Sequence, residues 1–423
     1  AIVFMNNGSN AYKVFGGGFG ATANVVGNTH VWINTMQGLV DGEKQTYGED
    51  VYIGKIGQVF GGGNAAPLEG DVTIDIGTAT VSKIPSTGED AEKIGVRIIS
   101  GTDYLNAESN TSTSITAGIY GGGNAADVDG NVTMNIGTVS QNQGITIGGD
   151  IYGGGYGETT HVTGSVTMNI GADTGVLPAH NYVGYANITG DVYGGSAKGK
   201  VNSHLVESTE TYTDGKSTQV NFYGGTLTGN LYGGGKGEDN EAPAADHAAD
   251  VYGPVTVTMG SGSVNNVFGC NNVLGTPKKS VTVNVNGGTI AHSVYGGGNQ
   301  AAYTPTESNI NYPAVNINNG TVTENVFGGG LGTLATVTAN PQVTIGDTDE
   351  NHKAAVGGSV YGGGDEGNVH GDTRVNVKNA NTTIAKNVFG AGKGRKNTFT
   401  CAEAMVGVND EGACADPDSN TYS

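Results

Sequence analysis

Eleven times along this chain an aliphatic–aromatic pair runs into glycine and a second small residue. The aromatic positions are Phe15, Phe60, Tyr120, Tyr152, Tyr193, Tyr232, Phe268, Tyr295, Phe327, Tyr361 and Phe389. Successive markers lie 27 to 60 residues apart. A unit recurring at this kind of period cannot bury its apolar face alone, so the copies must stack into a solenoid, a propeller or an array. Glycine supplies 76 of the 423 residues, but without a Gly-X-Y period and with only 10 prolines, which excludes a collagen-like chain.

A second phrase recurs between markers. It reads GDVTIDIG from Gly70 to Gly77, GNVTMNIG from Gly130 to Gly137 and GSVTMNIG from Gly164 to Gly171, with a close copy, SVTVNVNGG, from Ser280 to Gly288. Val132, Met134 and Ile136 alternate with Thr133 and Asn135, the period of a strand with one buried face. A shorter strand then leads back to the next aromatic, as in GGTIAHSVYGGG from Gly287 to Gly298. Helices are excluded, because glycine every few residues costs about 1 kcal/mol per site. Propeller blades need four antiparallel strands per unit, whereas these units offer two or three strand phrases at uneven spacing. The expected fold is therefore all-β: a single-stranded parallel β-solenoid over residues 1–397, of about 10–12 coils with variable loop insertions. Residues 398–423 have lost both phrases and read as a cap or connector.

Stacking carries its own expectations. Glycine after the aromatic should turn a corner with positive φ and let neighbouring coils approach closely. The eleven rings should form a structural ladder, one every 4.8 Å or about that, rather than a stacking platform for sugars. Free exchange of Phe and Tyr suggests a ring whose outer edge reaches water. Polar insertions at 82–117, 172–184, 203–217, 238–250 and 301–312 read as surface loops.

The formal net charge is −20, and Arg97, Arg374 and Arg395 are the only arginines. Clustered cations needed to neutralise phosphates are missing, which argues against nucleic acid and anionic membranes as partners. No apolar run is long enough to span a bilayer as a helix. The chain opens at Ala1 with neither an initiator Met nor a leader, and reads as a mature form or a piece of something longer. Cys401 and Cys414 are a candidate disulfide, and Cys270 stands where other copies have glycine, as a small buried residue would.

The chemistry-bearing motifs are weak. GGGNAADVDGN (Gly121 to Asn131) and GGGDEGNVHGD (Gly362 to Asp372) faintly echo calcium-binding glycine–aspartate repeats, but occur once per coil rather than in tandem. Glu238, Asp239, Glu241, Asp246 and Asp250 offer further oxygen ligands, so calcium is the one cofactor left open and none is expected. Asp75 is the only carboxylate at the outward positions of the VTxN strands, and no histidine or serine motif of a hydrolase occurs. The expectation is a protein without catalytic residues. Its outward Thr-x-Asn pairs are interrupted by Trp32, Asp75, Asn316 and Asn376, which argues against a regular ice-binding array.

The phrases GGTIAHSVYGGGN, NGTVTENVFGGG and DIYGGGYGETTHVTGSVTMNIG resemble the glycine-rich repeats of bacterial autotransporter-type adhesins and large surface repeat proteins. The resemblance covers about Val14 to Gly394 and implies a right-handed parallel β-helix outside the cell. It also implies an adhesin stalk or surface-fibre subunit, secreted or at the cell surface. The partners implied are surface glycans or proteins of host or bacterium, with head-to-tail self-association. No membrane-anchoring barrel and no transferable catalytic residues accompany it. The reading set against it is a carbohydrate-active parallel β-helix enzyme, a polysaccharide lyase or glycoside hydrolase.

Overall fold

The computed structural model describes residues 1–5, 11–33, 37–40, 43–46, 55–78, 96–106, 111–138, 145–176, 179–240, 245–307, 309–396, 401–402 and 404–407. The chain is a parallel β-solenoid whose coils repeat the same strands in register. The VTxN phrases form one column of eleven parallel strands, from Ile2–Met5 through Val132–Ile136 to Arg374–Val377. The aromatic markers form a second column, again of eleven, from Phe15 to Phe389. The short return strands form a third, including Arg97–Ile98, Ile145–Ile147, Ala186–Ile188 and Thr383–Ile384. Alternation works as the sequence implies: Val132, Met134 and Ile136 are fully buried, while Thr133 and Asn135 face outward and half-buried.

A fourth column was not legible in the sequence. The segment after the glycines reads as a polar loop, yet it places one apolar residue per coil in parallel register: Leu68, Val128, Val162, Val201, Val251. The column resumes at Tyr303, Val337 and Val369 and runs on to Val406. Coil register therefore continues past residue 398, where the sequence suggests it stops. Cys414 and the Cys401 side chain lie outside the described residues, as does most of the 398–423 segment. Cys270 is fully buried, with its Sγ 3.5 Å from the Gly296 carbonyl, and burial pushes its thiol up.

The marker glycines do not act through positive φ. None of those in the described VFGGG-type units lies in the left-handed region. They are glycine because a Cβ on the first, such as Gly121 or Gly194, would collide with the carbonyl oxygen of its counterpart one coil on. A Cβ on Gly122 would stand 2.8 Å from the Gly155 nitrogen. Positive φ instead occurs where the VTxN strand ends, at Gly77, Gly137 and Gly171.

Outward side chains also bond from coil to coil. Asn135 Nδ2 donates to Asp75 Oδ1 at 2.8 Å, Asn169 donates to Asn135 at 2.9 Å, and Asn221 donates to Asn169 at 3.0 Å. A parallel ladder precedes the marker: the backbone N–H of Asp191, Asn230, Asn325 and Ser359 each bonds the side-chain oxygen of the coil before. Insertions expected as loops contain antiparallel hairpins, Gly101–Asn106 with Thr111–Ile115 and Ser203–Val206 with Thr209–Tyr212. A shorter pair joins Ala172–Asp173 to Tyr182–Val183.

Candidate functional site

All eleven marker rings stack in one continuous column. Neighbouring centroids are 4.7–5.1 Å apart, with ring planes within 12° of parallel. Each inner ring has both faces covered by other rings, so the ladder offers no face on which a sugar could stack. The edges differ from the expectation too. Tyr193, Tyr232 and Phe268 are almost fully buried, and their outer edges meet protein rather than bulk water. Tyr152 donates its hydroxyl to Asp150 at 2.8 Å, and Tyr193 donates to Asp191 at 3.0 Å. Burial, reinforced by these carboxylates, pushes both phenols far above their ordinary range.

What covers the edges is the residue four beyond each aromatic. In four of the eleven coils it is asparagine, in two adjacent pairs: Asn124 donates to Asn64 at 2.8 Å, and Asn299 to Asn272 at 3.0 Å. Asn272 Nδ2 also donates to the Tyr193 hydroxyl at 2.7 Å. In two of the coils between, this position holds Tyr156 and Lys236 instead. There the flank opens into a cleft of about 620 Å³ that runs from Gln58 to Val273. Sequence reasoning singled out neither Tyr156 nor Lys236; their offset from the aromatic was the signal that could have found them.

The cleft alternates opposite charges. Lys236 Nζ lies 3.1 Å from Asp150 Oδ2, the carboxylate that also accepts from Tyr152. Lys198 Nζ lies 2.7 Å from Glu238 Oε2, and this contact leads the influences holding the lysine up and the carboxylate down. Tyr120 meets the Tyr156 ring at 5.4 Å and 84°. Because Phe60 and Tyr152 occupy both faces of Tyr120, the edge in this contact is that of Tyr120 and the face is that of Tyr156.

Charged groups elsewhere are mostly committed to the fold. His161, almost fully buried, bridges Asp127 at 3.0 Å and Glu210 at 3.1 Å, joining the Ser203–Tyr212 hairpin to the coil body. The hydrogen bonds to Asp127 and Glu210 outweigh burial and raise the imidazole to about 9. Burial alone would raise Glu210, but the hydrogen bond from His161 and the adjacent Lys200 hold it at about 2.

Most of the described residues weighed as calcium ligands have protein partners. Asp127 holds His161, Asp250 is 3.1 Å from Lys278, and Asp246 accepts from the Asn240 N–H at 2.9 Å. Asp365 pairs with Lys393 at 2.9 Å, and Glu241 lies outside the described residues. Among the described residues no three His, Cys, Asp or Glu side chains converge as a metal site would need. Asp75 is likewise engaged, by His30 at 2.8 Å and by Asn135. Arg395 pairs with Glu366 at 2.9 Å at the far end of the coil stack.

No protein-family model, curated protein or solved structure matches this chain. The fold and the cleft therefore stand on their own geometry.

Proposed function

We propose that this protein is an extracellular, non-enzymatic rod, an adhesin stalk or surface-fibre subunit that presents loops and a repetitive face to glycans or proteins. The observation that carries the reading is how completely the repeat is committed to its own axis. Core valines, ring faces, marker glycines and outward asparagines all serve the coil above or below. What is left for partners is the irregular part, the hairpin insertions and the flank where the asparagine cover is interrupted. Function on a rigid scaffold concentrates in such irregular segments.

Small-angle scattering should give an elongated particle with a coil stack about 50 Å long at roughly 4.8 Å per coil. The purified chain should bind host or bacterial surfaces while releasing no product from a polysaccharide panel. Reproducible turnover abolished by one carboxylate substitution would replace this reading with the carbohydrate-active enzyme. A compact particle that binds no surface would remove both the rod and the adhesive role.

A further inference from the structure

Along the flank of the ring ladder, the cleft begins at Gln58 in the second coil and ends at Val273 in the seventh. It crosses five coil steps, roughly 24 Å at about 4.8 Å each. An elongated trough of this kind suits a linear polymer better than a compact metabolite. Its lining mixes one exposed aromatic with fixed donors and acceptors, the composition that orients a polar ligand carrying some apolar surface.

We infer that this trough binds a neutral linear polysaccharide, one pyranose lying on Tyr156 and its neighbours hydrogen-bonded by the Asp150–Lys236 and Lys198–Glu238 pairs. This deepens the adhesive reading above and rests on it.

Tyr156 lies broadside on the edge of Tyr120, and the Lys198 ammonium stands 5.7 Å from its ring centre, yet it keeps 40 % of its surface exposed, unlike the enclosed rings beneath it. A pyranose has a face of C–H groups that packs on such a ring. Sugar hydroxyls donate and accept at once. A lysine and a carboxylate held side by side present both roles within one hydroxyl's reach. Asp150 is fixed by Tyr152 as well as by Lys236, so its orientation is set before any ligand arrives. Charge selects the neutral class. Two ammoniums are each neutralised by a carboxylate, Asp239 adds a further negative group, and the whole chain carries −20. A polyanionic chain would meet net repulsion, and a polycation would have to compete with lysines already in place.

The test uses the full chain against an array of neutral linear oligosaccharides: glucans, mannans, galactans and N-acetylhexosamine oligomers. Uronate oligomers and an extended-peptide library serve as the other arms. Binding of at least one neutral series is expected. Tyr156→Ala should weaken it at least tenfold, Lys236→Gln several-fold, and both variants should keep the parent melting temperature. Phe19→Ala is the control, since Phe19 occupies the same place in the first coil and is exposed, but lies outside the trough. Loss of binding in this control, equal binding by Tyr156→Ala, or capture of only uronates or peptides would overturn the inference. Failure of every array member while the rod still binds whole cells would sink the trough and spare the adhesive role. Loss of both would sink the two together.

Discussion

The fifth to seventh coils and the last carry the same marker and differ in almost every energetic respect. Tyr193, Tyr232 and Phe268 are at most 1 % exposed, whereas Phe389 is 41 % exposed and its neighbour Val388 is 49 % exposed. Register is the same in both: Phe389 stacks on Tyr361 at 4.9 Å, as Tyr193 stacks on Tyr232 at 4.8 Å. Burial in this molecule is therefore set by neighbours on both sides and not by the residues of the unit itself. Stability should follow as a sum of coil-to-coil terms, largest in the middle and smallest at the end.

The sharpest way to break that comparison is the first marker glycine. Gly194→Val would drive a side chain into the Gly233 carbonyl and should cost about 4 kcal/mol or more, read as a large fall in urea midpoint. At Gly390 a Cβ meets nothing within 4 Å, so Gly390→Val should change stability by about 0.5 kcal/mol or less. Equal losses at the two sites would show that the glycines act through something other than close approach.

Core truncation should show the same gradient. Met168→Ala empties a fully buried site and is expected to cost about 2–5 kcal/mol, while Val377→Ala, at a residue 51 % exposed, should cost about 0.5 kcal/mol or less. Within the ladder, Tyr193→Leu loses two stacked neighbours and two hydroxyl hydrogen bonds. A cost of about 2 kcal/mol is expected, against a smaller one for Phe389→Leu, which loses one neighbour. Thermal melts of the four variants decide both pairs.

The smallest effect separates the inserted hairpin from the rod. His161 is raised to about 9, so its contribution is complete below about pH 6.5 and is lost as pH rises through 9. Glu210 is held at about 2, so its contribution is present above about pH 4.5 and is lost as pH falls through 2. Hydrogen exchange in residues 203–212 should therefore speed up above about pH 9 while the VTxN column stays protected. In His161→Gln that alkaline change should vanish. A uniform loss of protection across the coils would mean that the hairpin is no separate unit.

The architecture was legible because its signals are periodic. VTMNI alternates at two residues, and the aromatic marker repeats eleven times, so strand, face and stacking follow from residue order alone. The loop column escaped because it contributes one apolar residue per coil, too little for any period to show. The Ser203–Tyr212 hairpin escaped for a chemical reason. Its turn places Glu207 and Ser208 at positive φ, where Asn-Gly would have announced it. Glycine was placed correctly but explained wrongly, since sequence cannot separate a residue needed for φ from one needed for lack of bulk. The cleft was visible only as an exception at Tyr156 and Lys236, and exceptions acquire meaning once the asparagine rule around them is known.

The asparagine ladder gives the rod a sense of direction. A carboxylate can only accept, so Asp75 obliges Asn135 to donate, which leaves the Asn135 oxygen to accept from Asn169, and the Asn169 oxygen to accept from Asn221. Each coil thus offers its successor a row of oxygens already turned the right way. A chain delivered from its N-terminal end during synthesis finds a template over these coils, and assembly there becomes a ratchet in which each completed coil orients the next.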